Sequence, residues 1–258
     1  QPSLRALLQR PSAQRALILA CMLQAGQPLC GINPVMYYGA SIFTMDGVSA
    51  KIAIWLTVGL AICNCIGSCL SSYFQDRLGR RLLTLWSMSA VSFSLAVISI
   101  SFWATPSSVT DSNNSGDGIA AVTKSTWLLF VSICLYLLCY SSGMGSTPWT
   151  ICAEIFPASV RGSGNSVSTG TNWISAFVVS ISFLSIIKAT SASGAFMLYS
   201  IVSFGLFIFY YKYLPETGGI ELESMKSLLD DDAMWGHQSG CCKSKDGRGT
   251  YAPCESQT

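Results

Sequence analysis

The chain has 258 residues, of which 50% are apolar and only 11% charged. Soluble chains carry roughly 25% charged residues, so this one has less than half the usual solvating charge. Its 15 Lys+Arg and 13 Asp+Glu leave a net charge of +2, which is no footprint for nucleic acid. Composition therefore excludes a soluble domain, a disordered chain and a secreted disulfide scaffold, and places the polypeptide in a membrane.

Residues 1–15 carry Arg5, Arg10 and Arg15 and read as a cytoplasmic linker. The chain opens on Gln1-Pro2 rather than Met, so the expectation is a fragment whose amino-terminal part lies elsewhere. A hydrocarbon core takes about 20 apolar residues per helix. Six stretches qualify, at 16–45, 51–74, 82–104, 126–153, 164–187 and 194–214, giving an all-α integral membrane bundle over 16–214. The first and fourth exceed one crossing and contain interrupters, Gly31 to Pro34 and Gly143 to Pro148. Broken helices at membrane depth are tolerated where they line a cavity, which predicts a pathway inside the bundle. After the sixth span, residues 215–258 form a polar tail. Leu222, Met225, Leu228 and Leu229 predict a short helix near 220–229 on the bundle.

Lys and Arg set the orientation. Twelve of the 15 basic residues fall on the side of both termini and of the 75–81 and 154–162 loops, which predicts that side to be cytoplasmic. The 105–125 loop is then extracellular, and Asn113-Asn114-Ser115 makes Asn113 a candidate N-glycosylation acceptor. Eight of the 11 cysteines lie in or beside apolar runs, where a thiol packs as a small hydrophobe. Cys241, Cys242 and Cys254 lie in the tail, and the adjacent pair is a weak palmitoylation signal. No spacing suggests a metal site, a cofactor loop or a nucleophile–base pair, so an enzyme is not expected.

All 13 acidic residues, and the single histidine His237, lie outside the spans or at their ends. A coupling proton would therefore be carried by a part of the protein outside this chain. Within the spans stand neutral amides and aromatics: Gln27, Asn33, Asn64 and Asn172 with Tyr37, Tyr38, Trp149 and Trp173. Amides beside aromatic faces suit a neutral polyhydroxylated ligand, whose hydroxyls need hydrogen bonds and whose C–H faces stack on rings. The alternative is that these amides hold helices together. A second constellation is charged. Asp76-Arg77-Leu78-Gly79-Arg80-Arg81 forms a tight turn between two spans, and Glu154, Arg161 and Glu216 bound the later connections. Carboxylates beside arginines predict an ion-pair latch on the cytoplasmic face, whereas topology alone would require only the arginines.

These motifs resemble the sugar porter family of the major facilitator superfamily. The stretch from Gln27 to Asn33 resembles its QQLSGIN segment, followed by Tyr37-Tyr38. Asp76 to Arg81 resembles its D/E-R-x-G-R-R loop, and Gly143 to Trp149 its GPGPxPW motif. Ala153-Glu154 to Pro157 with Arg161, the pair Asn172-Trp173, and Pro215-Glu216-Thr217 as its PETKG ending complete the series. The order implies the carboxy-terminal six helices of a twelve-helix transporter. Among family branches the likeness is to proton/myo-inositol cotransporters. It implies substrate contacts at Gln27, Asn33, Tyr37, Tyr38, Asn64, Trp149 and Asn172. It also implies a gating network of Asp76, Arg77, Arg80, Arg81, Glu154, Arg161 and Glu216. Pro28, Ala176 and Gly218 depart from the pattern. The implied function is transport of a small neutral polyol or sugar by alternating access, best fitted by proton-coupled myo-inositol symport. The implied setting is a multi-pass protein, surrounded by lipid, of the plasma membrane. A passive hexose facilitator is one alternative, and a non-transporting nutrient sensor or regulatory half-molecule is the other.

Overall fold

The computed structural model describes residues 11–45, 48–104, 124–156 and 160–217. Asn113, the segment 220–229 and the tail cysteines lie outside them. The described residues form nine helices and no strand. These are α1 (Pro11–Leu29), α2 (Ile32–Tyr37), α3 (Gly39–Met45), α4 (Ala50–Leu78) and α5 (Arg80–Ala104), then α6 (Lys124–Ser142), α7 (Thr147–Ile155), α8 (Arg161–Ala189) and α9 (Ala192–Tyr213). Six stretches are long and apolar enough to cross a membrane: Ala13–Tyr37, Ala50–Gln75, Arg80–Trp103, Thr126–Ile155, Arg161–Ala189 and Ala192–Tyr213. Residues 11–15, expected as linker, already belong to α1.

Uninterrupted spans follow from uninterrupted sequence. The 29-residue helices α4 and α8 contain no proline and are each about 43 Å long, more than a hydrocarbon core of about 30 Å requires. The two broken spans carry their breaks where proline and glycine meet. α1 runs through Pro28 and stops at Leu29, and Gly31 takes φ +80° before α2 begins. The Gly143–Ser146 turn separates α6 from α7, with Pro148 in the first turn of the new helix.

α1 is the hub, packed against α7, α8 and α9, while α5 lies between α6 and α9, and α4 leans on α6. Leu23, Met88, Leu95, Tyr136, Phe183, Phe196 and Tyr210 are fully buried between them. The cover is uneven. In the most apolar stretch of α4 only 17% is buried, and in that of α8 22%, against 56% for both α1–α2 and α5. The uncovered residues are apolar, including Ile54, Ile62 and Ile66 of α4 and Ile174, Phe177 and Ile181 of α8. Such faces need lipid or another protein surface against them. Trp55, Trp103 and Trp127 stand exposed at one end of α4, α5 and α6, the placement of an interfacial aromatic belt. The arginines of the α4–α5 turn stand at the opposite end. The eight described cysteines are all free thiols.

Candidate functional site

Open carbonyls at and beside the helix breaks shape the polar interior. Proline has no N–H, so the carbonyl four residues earlier loses its helical donor. In a bilayer core no water replaces it, and each open carbonyl needs a partner from the protein. Pro28, inside α1, opens Gln24 O. Pro34 and Pro148 stand in the first turns of α2 and α7, where an N–H has no helical acceptor in any case. Cys30 O and Met144 O are open because they lie in the breaks themselves. Each of the three carbonyls is met by a side chain from a different span. Asn172 Nδ2 of α8 donates to Gln24 O at 2.8 Å. Tyr136 Oη of α6 donates to Cys30 O at 2.9 Å. Gln27 Nε2 of α1 donates to Met144 O at 2.8 Å and to Gly145 O at 2.9 Å.

The amides also bond one another. Asn172 Nδ2 lies 2.9 Å from Gln27 Oε1 and 3.1 Å from Gln24 Oε1, and Gln24 Nε2 reaches Cys152 Sγ at 3.8 Å. Gln24, Gln27 and Asn172 are 1%, 5% and 8% exposed, so this is an interior network rather than a surface patch. Both Gln27 amide hydrogens are used within the protein. Asn172 Oδ1 accepts nothing from the described residues.

The other residues expected to contact substrate are placed differently. Asn33 is half-buried on α2. Asn64 is half-buried on α4, where its Oδ1 accepts from Ser141 Oγ of α6. Trp149, in the first turn of α7, is 43% exposed, and Tyr37 at the end of α2 is 66% exposed. Tyr38 turns inward, stacks on Phe183 at 5.4 Å and reaches Ser180 O at 3.5 Å. Its environment is that of a packing residue between α2 and α8. The sequence reading passed over Gln24 and Tyr136. Gln24 carried a legible signal: it is a carboxamide one turn before Gln27, at the carbonyl that Pro28 opens.

The charged constellation gathers at the opposite end from the tryptophans. The first N–H groups of α5 have no helical partner, and the Glu216 carboxylate takes them. Its Oε1 accepts from Arg80 N at 3.0 Å and from Arg81 N at 3.5 Å. A negative group there also complements the positive end of the helix dipole. Gly79 makes this approach possible. It sits at φ +84° and ψ 153°, a region reserved for glycine, and a Cβ there would lie 2.9 Å from Glu216 Oε2. Arg80 Nη2 pairs with Glu154 Oε1 at 2.9 Å. Arg81 Nη2 donates to Tyr211 O, in the last turn of α9, at 3.0 Å.

Two further arginines at this end make no described ion pair. Arg161 Nε donates to Phe156 O at 3.3 Å rather than to a carboxylate, and the Arg77 guanidinium lies 4.5 Å from the centre of the Tyr73 ring on its own helix. Asp76 falls in the last turn of α4, and its side chain lies outside the described set. The charged end thus ties α5 to α7, α9 and the segment after α9.

Comparison with known proteins agrees with this architecture. The profile of the family described as "Sugar (and other) transporter" matches residues 1–229. Myo-inositol transporter 2 of Schizosaccharomyces pombe is 33% identical over 229 residues, which cover 88% of this chain and 39% of that protein. The human proton myo-inositol cotransporter is 30% identical over 302 residues, covering 89% of this chain and 46% of its own length. Proteins named as facilitated trehalose transporters match as well. The fold is similar to that of the proton:xylose symporter XylE bound to 6-bromo-6-deoxy-D-glucose. The TM-score is 0.69 at 21% identity, over 83% of this chain and 42% of that one. The chain thus spans less than half the length of these relatives, and its six crossings correspond to half of a major facilitator fold. On the family profile, the relatives and this architecture together, the chain belongs to the sugar transporter family of the major facilitator superfamily.

Proposed function

We propose that this chain forms one wall of the pathway of a secondary transporter for a small neutral polyol, working as a proton-coupled myo-inositol symporter. The observation that carries the reading is the neutral carboxamide network of Gln24, Gln27 and Asn172, which joins both helix breaks beside the exposed ring of Trp149. Hydroxyl groups are served by amides and stacked on by rings, whereas a charged ligand would require a counter-ion. The described carboxylates and arginines lie at the spans' ends. Myo-inositol in particular is supported by the relatives named for it, and proton coupling by the human one.

The direct contacts are assigned to Asn33, Asn64, Tyr37 and Trp149, which retain exposure, with Gln27 and Asn172 presenting their remaining acceptor lone pairs. The chain lies in the plasma membrane with the arginine-rich end in the cytoplasm. There Asp76, Arg80, Arg81, Glu154, Arg161 and Glu216 hold one face closed in one state. The two halves rock about a midplane site, with the α1–α2 and α6–α7 breaks as gates.

The test is uptake of radiolabelled myo-inositol by the protein containing this chain, at acidic and at neutral pH. Uptake that rises at acidic pH and is competed poorly by glucose is expected. Glucose uptake that ignores pH would instead favour a passive hexose facilitator. That second reading has its own observation: the described carboxylates Glu154 and Glu216 both lie at one end of the bundle, away from the amides. No uptake of either, despite surface expression, would overturn both and leave a sensor.

A further inference from the structure

The open carbonyls at the two helix breaks are not capped independently. Asn172 closes the carbonyl opened by Pro28, and the same Nδ2 holds Gln27 Oε1. Gln27, one residue before Pro28, in turn closes Met144 O in the α6–α7 break through its Nε2. Gln27 therefore links the two breaks directly, and Asn172 of α8 holds both the Gln27 amide and the Gln24 carbonyl beside it. With all three carboxamides at least nine-tenths buried, water does not compete for these bonds.

We propose that Asn172 is a positioning residue that couples the two helix breaks: it acts on the α6–α7 break through Gln27, and its position is set by the carbonyl that Pro28 leaves open. Pro28 and Asn172 are then a matched pair. Were residue 28 to carry an N–H, the helix would close the Gln24 carbonyl itself, and the demand on Asn172 would fall. The inference deepens the transport reading, because the coupled breaks are the proposed gates, but its structural core holds without it.

The test is a double-mutant cycle on the whole protein that contains this chain, in detergent or nanodiscs, comparing Asn172→Leu in the native and the Pro28→Ala backgrounds. Thermal melting, which needs no ligand, is the first readout. Asn172→Leu is expected to lower the melting temperature clearly in the native background and about half as much or less in the Pro28→Ala background. Equal losses in both would overturn the matched pair. Should Asn172→Leu fail to fold alone, folding of the Pro28→Ala/Asn172→Leu double variant is the expected rescue, and failure of both would overturn the proposal. Myo-inositol binding is the second readout. Affinity is expected to fall at least about tenfold with Asn172→Leu, the size of one lost buried hydrogen bond. It is expected to fall less in the Pro28→Ala background, where only the direct contact and not the positioning of Gln27 is lost; an equal fall in both backgrounds would overturn the positioning role. Coupling in melting with no polyol bound by any variant would reject the transport reading and leave the matched pair standing. Binding without coupling would do the reverse.

Discussion

The molecule holds two polar regions that solve opposite problems. At mid-span the amide network is neutral, closed from solvent and internally matched: Gln24 O, Cys30 O and Met144 O, at and beside the breaks, each have a side-chain donor within 2.9 Å. At the arginine-rich end the groups are charged, half-exposed and only partly matched. The Arg80–Glu154 pair has side chains 19% and 28% exposed, while Glu154 Oε2, Arg80 Nε and Arg161 Nη2 have no hydrogen-bond partner among the described residues. A matched neutral network resists rearrangement, because breaking one bond strands a carbonyl in a medium without water. The Arg80–Glu154 pair, partly exposed, is worth little to stability, and the unpartnered groups around it offer other partners. The first region holds geometry, and the proposed latch role of the second requires that its bonds can change.

Removing the amide that serves two carbonyls breaks this contrast most severely. Gln27→Leu strands Met144 O and Gly145 O. At about 1–3 kcal/mol for each buried unsatisfied group, it is expected to cause the largest loss of thermal stability in detergent. A melting curve within error of the native one would show that the network bears no structural weight. Next is Gly79→Ala, which forces an alanine into a glycine-only conformation and drives its Cβ toward Glu216. About 1–3 kcal/mol is expected, measured as a lowered melting temperature. Here the glycine, rather than the ion pairs, sets the stability of the charged end.

Glu154→Gln is expected to cost less than about 1 kcal/mol, since the Arg80 pair is partly exposed. Its larger effect falls on the balance of open and closed states, read by fluorescence between labels at the arginine-rich end, and unchanged populations would refute the latch. Trp149→Ala is expected to change stability by no more than about 0.5 kcal/mol, as for exposed side chains generally. It is nonetheless expected to weaken polyol binding measured by isothermal titration. A stability loss as large as that of Gln27→Leu would make Trp149 a packing residue.

Much of this was legible beforehand. The six spans and both interruptions follow from apolar run length and from proline beside glycine, and five of the spans appear within three residues of their expected bounds. The first closes at Tyr37 rather than at 45, and Gly39–Met45 forms a separate helix. The amides Gln27 and Asn172 were visible as polar residues in apolar runs, but their partners were not. A sequence shows that Pro28 opens a carbonyl; which side chain in space closes it depends on how α8 crosses α1. Tyr38 illustrates the same limit, since Tyr37-Tyr38 reads as a matched pair yet Tyr37 ends α2 and Tyr38 is the non-helical residue that caps it. One faces out, and the other stacks on Phe183. Tyr136 had no such signal as Gln24, since it looks ordinary until packing sets it against Cys30 O in the α1–α2 break.

By itself the sequence determined that this chain lies in a membrane, how often it crosses, where its helices break and at which end its arginines gather. Those are properties of composition and local backbone chemistry, which act over a few residues. Only the tertiary structure decided that Asn172 meets Gln24 and Gln27, that Gln27 meets the α6–α7 break, and that Glu216 caps α5 across Gly79. Those contacts join residues more than a hundred positions apart, and packing of whole helices, not local preference, brings them within hydrogen-bonding distance.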